Sequence, residues 1–306
     1  MNYNAALAHF SKITYSRYKR LIGYFSNTSH LWSAELTDLI RAGLEENIAN
    51  EFLVWRDQTS VEKIMERLEK ENIYTISLGE TRYPRLLAEI TDPPHTIFVR
   101  GQLPPDHLAS IGIVGTRQHS QYGQDVCEKI TKELSRLGIV IVSGLALGID
   151  GIAHASALRT KGKTIAVLGS SIDRQHVYPS AHKYLADQII ESDGAILSEY
   201  PPGFLPTRYS FPARNRIIAG LTLGTLVIEA PESSGALITT KCALDYNREV
   251  MTIPHPISSQ LGAGCNNLIK MGAKLVSSVD DILETLNLQP IIQKSSVQTT
   301  LNLNTR

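Results

Sequence analysis

Four short stretches of this sequence combine glycine, arginine and hydroxyl side chains in the way a phosphate-binding surface requires. The first is Gly112-Ile113-Val114-Gly115-Thr116-Arg117, followed by Ser120, Tyr122 and Gly123. Glycine lets backbone N–H groups approach an anion, and the Arg117 guanidinium can grip a phosphate through two parallel hydrogen bonds. The second is Ser143-Gly144-Leu145-Ala146-Leu147-Gly148-Ile149-Asp150-Gly151, a glycine-rich turn that suits a phosphate cradle or simply a tight connection. His154 follows it without a metal-ligand partner at helical spacing, so a buried, hydrogen-bonded histidine is expected there.

The third stretch is Phe211-Pro212-Ala213-Arg214-Asn215-Arg216. No acidic residue lies between Glu199 and Glu229, whereas Arg208, Arg214 and Arg216 all do. Phe211 offers a flat face on which a nucleobase can stack. In the fourth, Glu229 ends an apolar run, and Ser233, Ser234 and Gly235 lead into a helix expected to begin near Ala236, with Lys241 a turn deeper. A helix N-terminus flanked by hydroxyls attracts anions.

These loops need a frame. Apolar, β-branched runs at residues 97–99, 111–114, 139–142, 164–168, 195–197, 226–228, 250–253 and 274–276 alternate with helical patterns such as Val126, Ile130, Leu134 and Leu137. Runs that are apolar throughout belong to a parallel sheet covered on both faces. The expected fold is therefore α/β: a Rossmann-like, doubly wound, mostly parallel sheet. Ligands of such sheets bind beyond the carboxyl ends of the strands.

Before residue 73 the pattern is helical, with Leu36, Leu39, Ile40, Leu44 and Ile48 in one phase and Val61, Ile64, Met65 and Leu68 in another. Ser60 is a cap candidate, and Leu39–Leu44 reads as a helix that stops at Gly43, although a helix-hairpin-helix turn would give the same string. The expected organisation is a small all-helical domain at 1–72, a sheet domain at 73–288 and a polar, disordered tail at 289–306.

The totals exclude several classes. With 306 residues and zero net charge, the chain cannot present a wholly basic surface, so any nucleic-acid contact must come from a local patch. Its three cysteines, Cys127, Cys242 and Cys265, lack both metal-ligand spacing and a disulfide framework. A signal peptide and a membrane-length apolar stretch are both absent from the sequence, which reads as cytoplasmic. Because the GxGxxG fingerprint is missing, no dinucleotide cofactor is expected. Nor does a metal cluster or a Ser-His-Asp set emerge, and no catalytic residue is assigned.

Taken in order, Gly112–Gly123, Ser143–His154, Thr164–Gly169 with Tyr178-Pro179, Ser198–Gly203, Phe211–Gly220, Ser233–Thr239 and Gly262–Ala273 resemble the successive signature blocks of the DprA/Smf family. The resemblance spans roughly residues 75–285. It implies a non-enzymatic protein that binds single-stranded DNA, protects it in natural transformation and loads the RecA recombinase. It also implies a homodimer and a SAM-like N-terminal domain. The DNA site would comprise Arg117, Arg214, Arg216 and Lys241 on phosphates, Phe211 on a base, and Ser143, Gly144, Ser233 and Gly235 as donors. Asn267, Ile269 and Met271 are the candidate dimer contacts, with Leu268 and Leu275 expected to be buried.

Three places depart from the family pattern: Lys161-Gly162-Lys163, Pro254-His255-Pro256 and an apparent insertion at Asp173–Pro179. The winged-helix domain of many members has no counterpart here. The alternative is a nucleoside-monophosphate phosphoribohydrolase of the lysine-decarboxylase-like type, faintly echoed by Gly224-Thr225 and Glu229. In those enzymes the motif opens a helix, whereas here it precedes a strand.

Overall fold

The computed structural model describes residues 2–288; the tail expected at 289–306 lies outside them. The N-terminal region holds helices α1 (Tyr3–Leu7), α2 (Tyr15–Phe25), α3 (Thr28–Trp32), α4 (Leu36–Arg41), α5 (Glu46–Asp57) and α6 (Val61–Lys70). The first five surround a core of their own that includes Leu7, Phe10, Leu21, Leu39 and Phe52. Helix α4 ends in a glycine closure: Gly43 has φ +89°, and the Leu44 N–H donates to the Leu39 carbonyl at 3.0 Å. Ser60 caps α6, its hydroxyl accepting from Lys63 N at 3.2 Å.

Helix α6 does not join that core. Leu68, with Ile64 and Met65, packs into a cluster containing Phe98, Ala166 and Ile196 of the sheet. The Arg67 guanidinium also lies 3.5 Å from the buried Asp173 carboxylate. The helix that precedes the sheet in sequence is thus part of its covering layer.

The remaining elements are β1 (Tyr74–Ser77), α7 (Arg85–Ala88), β2 (Thr96–Gly101), β3 (Ser110–Val114), α8 (Gln121–Arg136), β4 (Val140–Ser143), α9 (Ile149–Arg159) and β5 (Thr164–Val167). They continue as α10 (Lys183–Glu191), β6 (Ala195–Ser198), α11 (Ser210–Gly220), β7 (Gly224–Val227), α12 (Ala236–Asp245), β8 (Glu249–Thr252), α13 (Ala263–Lys270), β9 (Lys274–Leu275) and α14 (Val279–Thr285). Among the described residues, nine strands form one sheet in the order β1-β2-β6-β5-β4-β3-β7-β8-β9. Strands β3 to β9 run parallel, and the β1–β2 and β2–β6 pairs are antiparallel.

The eight apolar runs each become a strand. Along β4, Val140 and Val142 enter one face cluster with Ile217 and Ile218 of α11, while Ile141 enters the other with Ile130 and Leu134 of α8. Burial on both faces is what makes the central strands β3 to β7 largely apolar. Strand β1 lies ahead of the first apolar run expected to be a strand, at residues 97–99. Its interior polar positions are tolerated because Thr75 Oγ1 accepts from Asn2 Nδ2 at 2.9 Å, and Ser77 Oγ lies 3.5 Å from Thr96 Oγ1.

Candidate functional site

Strand connections run one way from β3 to β4, β5 and β6, and then return to β7 on its other side. A crevice opens where the winding reverses, outside the carboxyl ends of β3 and β7. A groove of about 690 Å³ lies there, with Thr116, Arg117 and Gln118 on one wall and Ser234, Gly235 and Ala236 on another. Arg208, Phe211, Arg214 and Asn215 from the α11 side, and Asp150 from α9, complete the lining.

Arg117 and Phe211 meet across the groove. The exposed Arg117 places its guanidinium carbon 5.8 Å from the centroid of the half-buried Phe211 ring. Beyond it, the exposed Tyr178 ring lies 5.3 Å from Phe211, so a cation and two aromatic faces stand side by side. Arg208 stands at the rim, 4.6 Å over the Tyr209 ring. Neither Tyr178 nor Arg208 was singled out for the site from sequence, although Arg208 belongs to the acid-free stretch.

Arg214 is the groove floor. It is 5% exposed, and its Nη1 donates to the carbonyls of Gly144 (2.6 Å) and Val167. Burial draws its pKa down to about 10 against the pull of the neighbouring Asp150 carboxylate. A Cβ at Gly144 would lie 2.4 Å from the Arg214 guanidinium, so any side chain there would displace the arginine from its two carbonyls.

Four expected contacts are corrected by this geometry: Arg214, expected on phosphates, binds backbone carbonyls instead, and three others follow. Ser143 is fully buried and donates its hydroxyl to the Ile113 carbonyl at 2.6 Å, so it faces the sheet interior. The Gly144 N–H donates to Asp150 Oδ2 at 3.1 Å and is likewise engaged within the chain. Arg216 turns away from the groove: its guanidinium binds Glu199 and lies 3.4 Å from Asp92. The acid-free stretch therefore has counter-charges after all, supplied from outside it. Arg214 and Arg216 are two residues apart on α11, and two steps of about 100° set them on opposite sides of a helix. That periodicity was the signal available in the sequence.

At the fourth loop, Asn215 Nδ2 donates to the Gly235 carbonyl at 3.3 Å, and Ala236 N donates to Ser234 Oγ at 3.2 Å. Ser233 and Lys241 are exposed but do not line the groove. His154 is fully buried, with Nδ1 2.7 Å from Thr164 Oγ1. Glu229 ends the β7 segment as a helix anchor, its carboxylate accepting from Ser120 N and Ser120 Oγ at 2.7 Å each, at the start of α8. At 1% exposure it is not presented to the groove.

At the β9 edge, Met271 is 79% and Leu275 49% exposed. Leu275, expected to be buried, is not, because β9 is the last strand of the sheet among the described residues; Leu268 is buried as expected. Ile269 is half-buried, and Asn267 Nδ2 donates to Glu232 at 2.8 Å. Among the described residues no group of His, Cys, Asp or Glu is placed to hold a metal ion, and no helix is long and apolar enough to cross a membrane.

The doubly wound sheet, with a basic, aromatic groove at its switch point, makes this an α/β protein of Rossmann-like fold. The chain belongs to the DNA recombination-mediator protein A family, whose model matches residues 74–287. It is 40% identical over 287 residues to Protein Smf of Synechocystis, covering 92% of this chain and 71% of that one. It is 38% identical over 262 residues to the DNA processing protein DprA of Bacillus subtilis, covering 85% and 86%. The X-ray structure of DNA processing protein A from Streptococcus pneumoniae matches with a TM-score of 0.79 at 36% identity, over 93% of this chain and 97% of that one. A Helicobacter pylori DNA processing protein A structure, described for its single-stranded DNA binding mode, matches with a TM-score of 0.62 at 29% identity, over 70% and 95%.

Proposed function

We propose that the protein binds single-stranded DNA without sequence preference in the groove between the β3 and β7 loops, shelters it, and helps load the RecA recombinase in natural transformation and DNA processing. The observation that carries this reading is the Arg117–Phe211 pair with Tyr178 beside it. Cations on a backbone path, with aromatic faces for successive bases, are what sequence-tolerant strand binding uses. Phosphate contacts fall to the exposed Arg117 and Arg208 and to the start of α12, with Lys241 and Ser233 further along; Arg214 shapes the floor. Membership of the family and the Helicobacter relative's single-stranded DNA binding support the same ligand.

Fluorescence anisotropy with an oligo(dT) strand and a duplex of equal length tests it, beside an AMP-hydrolysis assay. Preferential binding of the strand with no hydrolysis is expected; duplex preference or AMP turnover overturns it. For the RecA step, the protein should accelerate RecA filament growth on strands coated with single-strand-binding protein. We also propose that two copies pair through Ile269, Met271 and the β9 edge, which would place two grooves on one strand and raise avidity.

A further inference from the structure

The glycine loop after β4 has the build of an anion cradle, and the chain fills it with a group of its own. Leu145 adopts φ +56°, a left-handed conformation that leucine takes only at a cost. That turn aims the flanking amides of Gly144 and Ala146 at one point. Asp150 Oδ2 occupies it, accepting from Gly144 N at 3.1 Å and from Ala146 N at 3.4 Å. Burial pushes the Asp150 carboxyl upward, and the charged form is held against it by the Arg214 guanidinium, the two loop amides and a place in the first turn of α9, where the helix dipole favours negative charge. The carboxylate is only 6% exposed yet borders the groove.

A nucleotide phosphate entering the crevice of a doubly wound sheet would seek these same donors: convergent loop amides, a helix N-terminus and a guanidinium. We propose that Asp150 is a resident anion that closes the β4 phosphate cradle to free nucleotides and inorganic phosphate, leaving the groove to a strand lying across its outer wall. This rests on the groove being the DNA site and deepens it by naming what the site refuses. Because Arg214 is matched to Asp150 from within, the charge left for a strand is that of Arg117 and Arg208 on the rim.

The test is chemical rescue of Asp150→Ala. Thermal melting is measured with millimolar inorganic phosphate, and with chloride at matched ionic strength. The variant should melt below wild type in chloride and gain stability saturably in phosphate, because an anion that binds only the folded state raises its melting temperature. Wild type should not distinguish the two salts. A folded variant indifferent to phosphate, or a wild type stabilised as much as the variant, overturns the proposal. Should the alanine variant fail to fold, Asp150→Ser leaves the cradle open and neutral and is judged by the same two outcomes. Oligo(dT) binding by wild type, measured in the same buffers, reads the groove assignment separately: its absence sinks that assignment and leaves the rescue result standing.

Discussion

The guanidinium of Arg117 lies over the ring of Phe211, 5.8 Å from its centroid, joining the loop after β3 to the first turn of α11. Each side chain is thus held beside the groove by the other. Arg117→Ala should weaken oligo(dT) binding about equally for every sequence, because phosphates carry no sequence information. Phe211→Ala should lose about 1–3 kcal/mol of affinity, the usual worth of a base stack, while Phe211→Trp largely keeps it. If Phe211→Ala lowers only the melting temperature and leaves affinity intact, the ring is a packing residue and not a stacking one.

The salt dependence follows from the same wall. With about two or three phosphates neutralised on a single strand by Arg117, Arg208 and Lys241, log K should fall against log salt with a slope of roughly −1.5 to −2. Arg117→Ala should make that slope shallower by less than one. An affinity independent of salt is incompatible with phosphate contacts by Arg117 and Arg208.

Arg216 gives the opposite prediction. It shares a largely enclosed ion pair with Glu199, whose carboxyl is pushed upward by burial and held down by the arginine. Arg216→Ala leaves that carboxylate unpaired and should destabilise the fold by about 3–5 kcal/mol. The fraction that remains folded should bind oligo(dT) normally. Denaturant melts combined with binding titrations separate the two effects; a stable variant with lost affinity would return Arg216 to the DNA contacts.

These arginines mark where sequence stops being informative. Strands β3 to β7 were legible because a sheet buried on both faces writes largely apolar runs, and the flanking strands β2, β8 and β9 were found from shorter runs of the same kind. Strand β1 was not, since its Thr75 and Ser77 are satisfied by partners as distant as Asn2 and Thr96. Arg117 and Phe211 could be found from residue type and loop position. The occupants of Gly144 and Arg214 could not, because Asp150, Val167 and Gly144 are brought together only by the packing of α9 and α11 on β4 and β5. Likewise, helical periodicity showed that α6 exists but not which core it joins.

Two histidines, the buried His154 and the half-buried His95, weaken the fold in acid. Burial lowers His154 to about 3 and His95 to about 4, both from an ordinary value of 6.5. Between those values and 6.5 the unfolded chain binds protons that the folded chain refuses, so stability is full above about pH 6.5 and declines as pH falls towards 3. His154→Gln should flatten the melting-temperature profile across that window. A variant profile parallel to wild type, merely shifted, would assign the acid transition to other groups.

The edge of the sheet supplies the last prediction. Strand β9 has no neighbour beyond it among the described residues, and Met271 (79% exposed) and Leu275 (49%) stand on that edge. An open strand edge flanked by apolar side chains invites pairing, and a second copy can satisfy both through one self-complementary patch. Ile269→Glu and Leu275→Glu should each give a folded protein, since neither side chain is fully buried. Light scattering should find these variants monomeric where wild type is dimeric. They should bind a short oligo(dT) almost as wild type does and a long one much less tightly, because only a long strand engages two linked grooves. A wild type that is monomeric at micromolar concentration, or variants that keep full affinity for long strands, would remove pairing at this edge from the account of DNA binding.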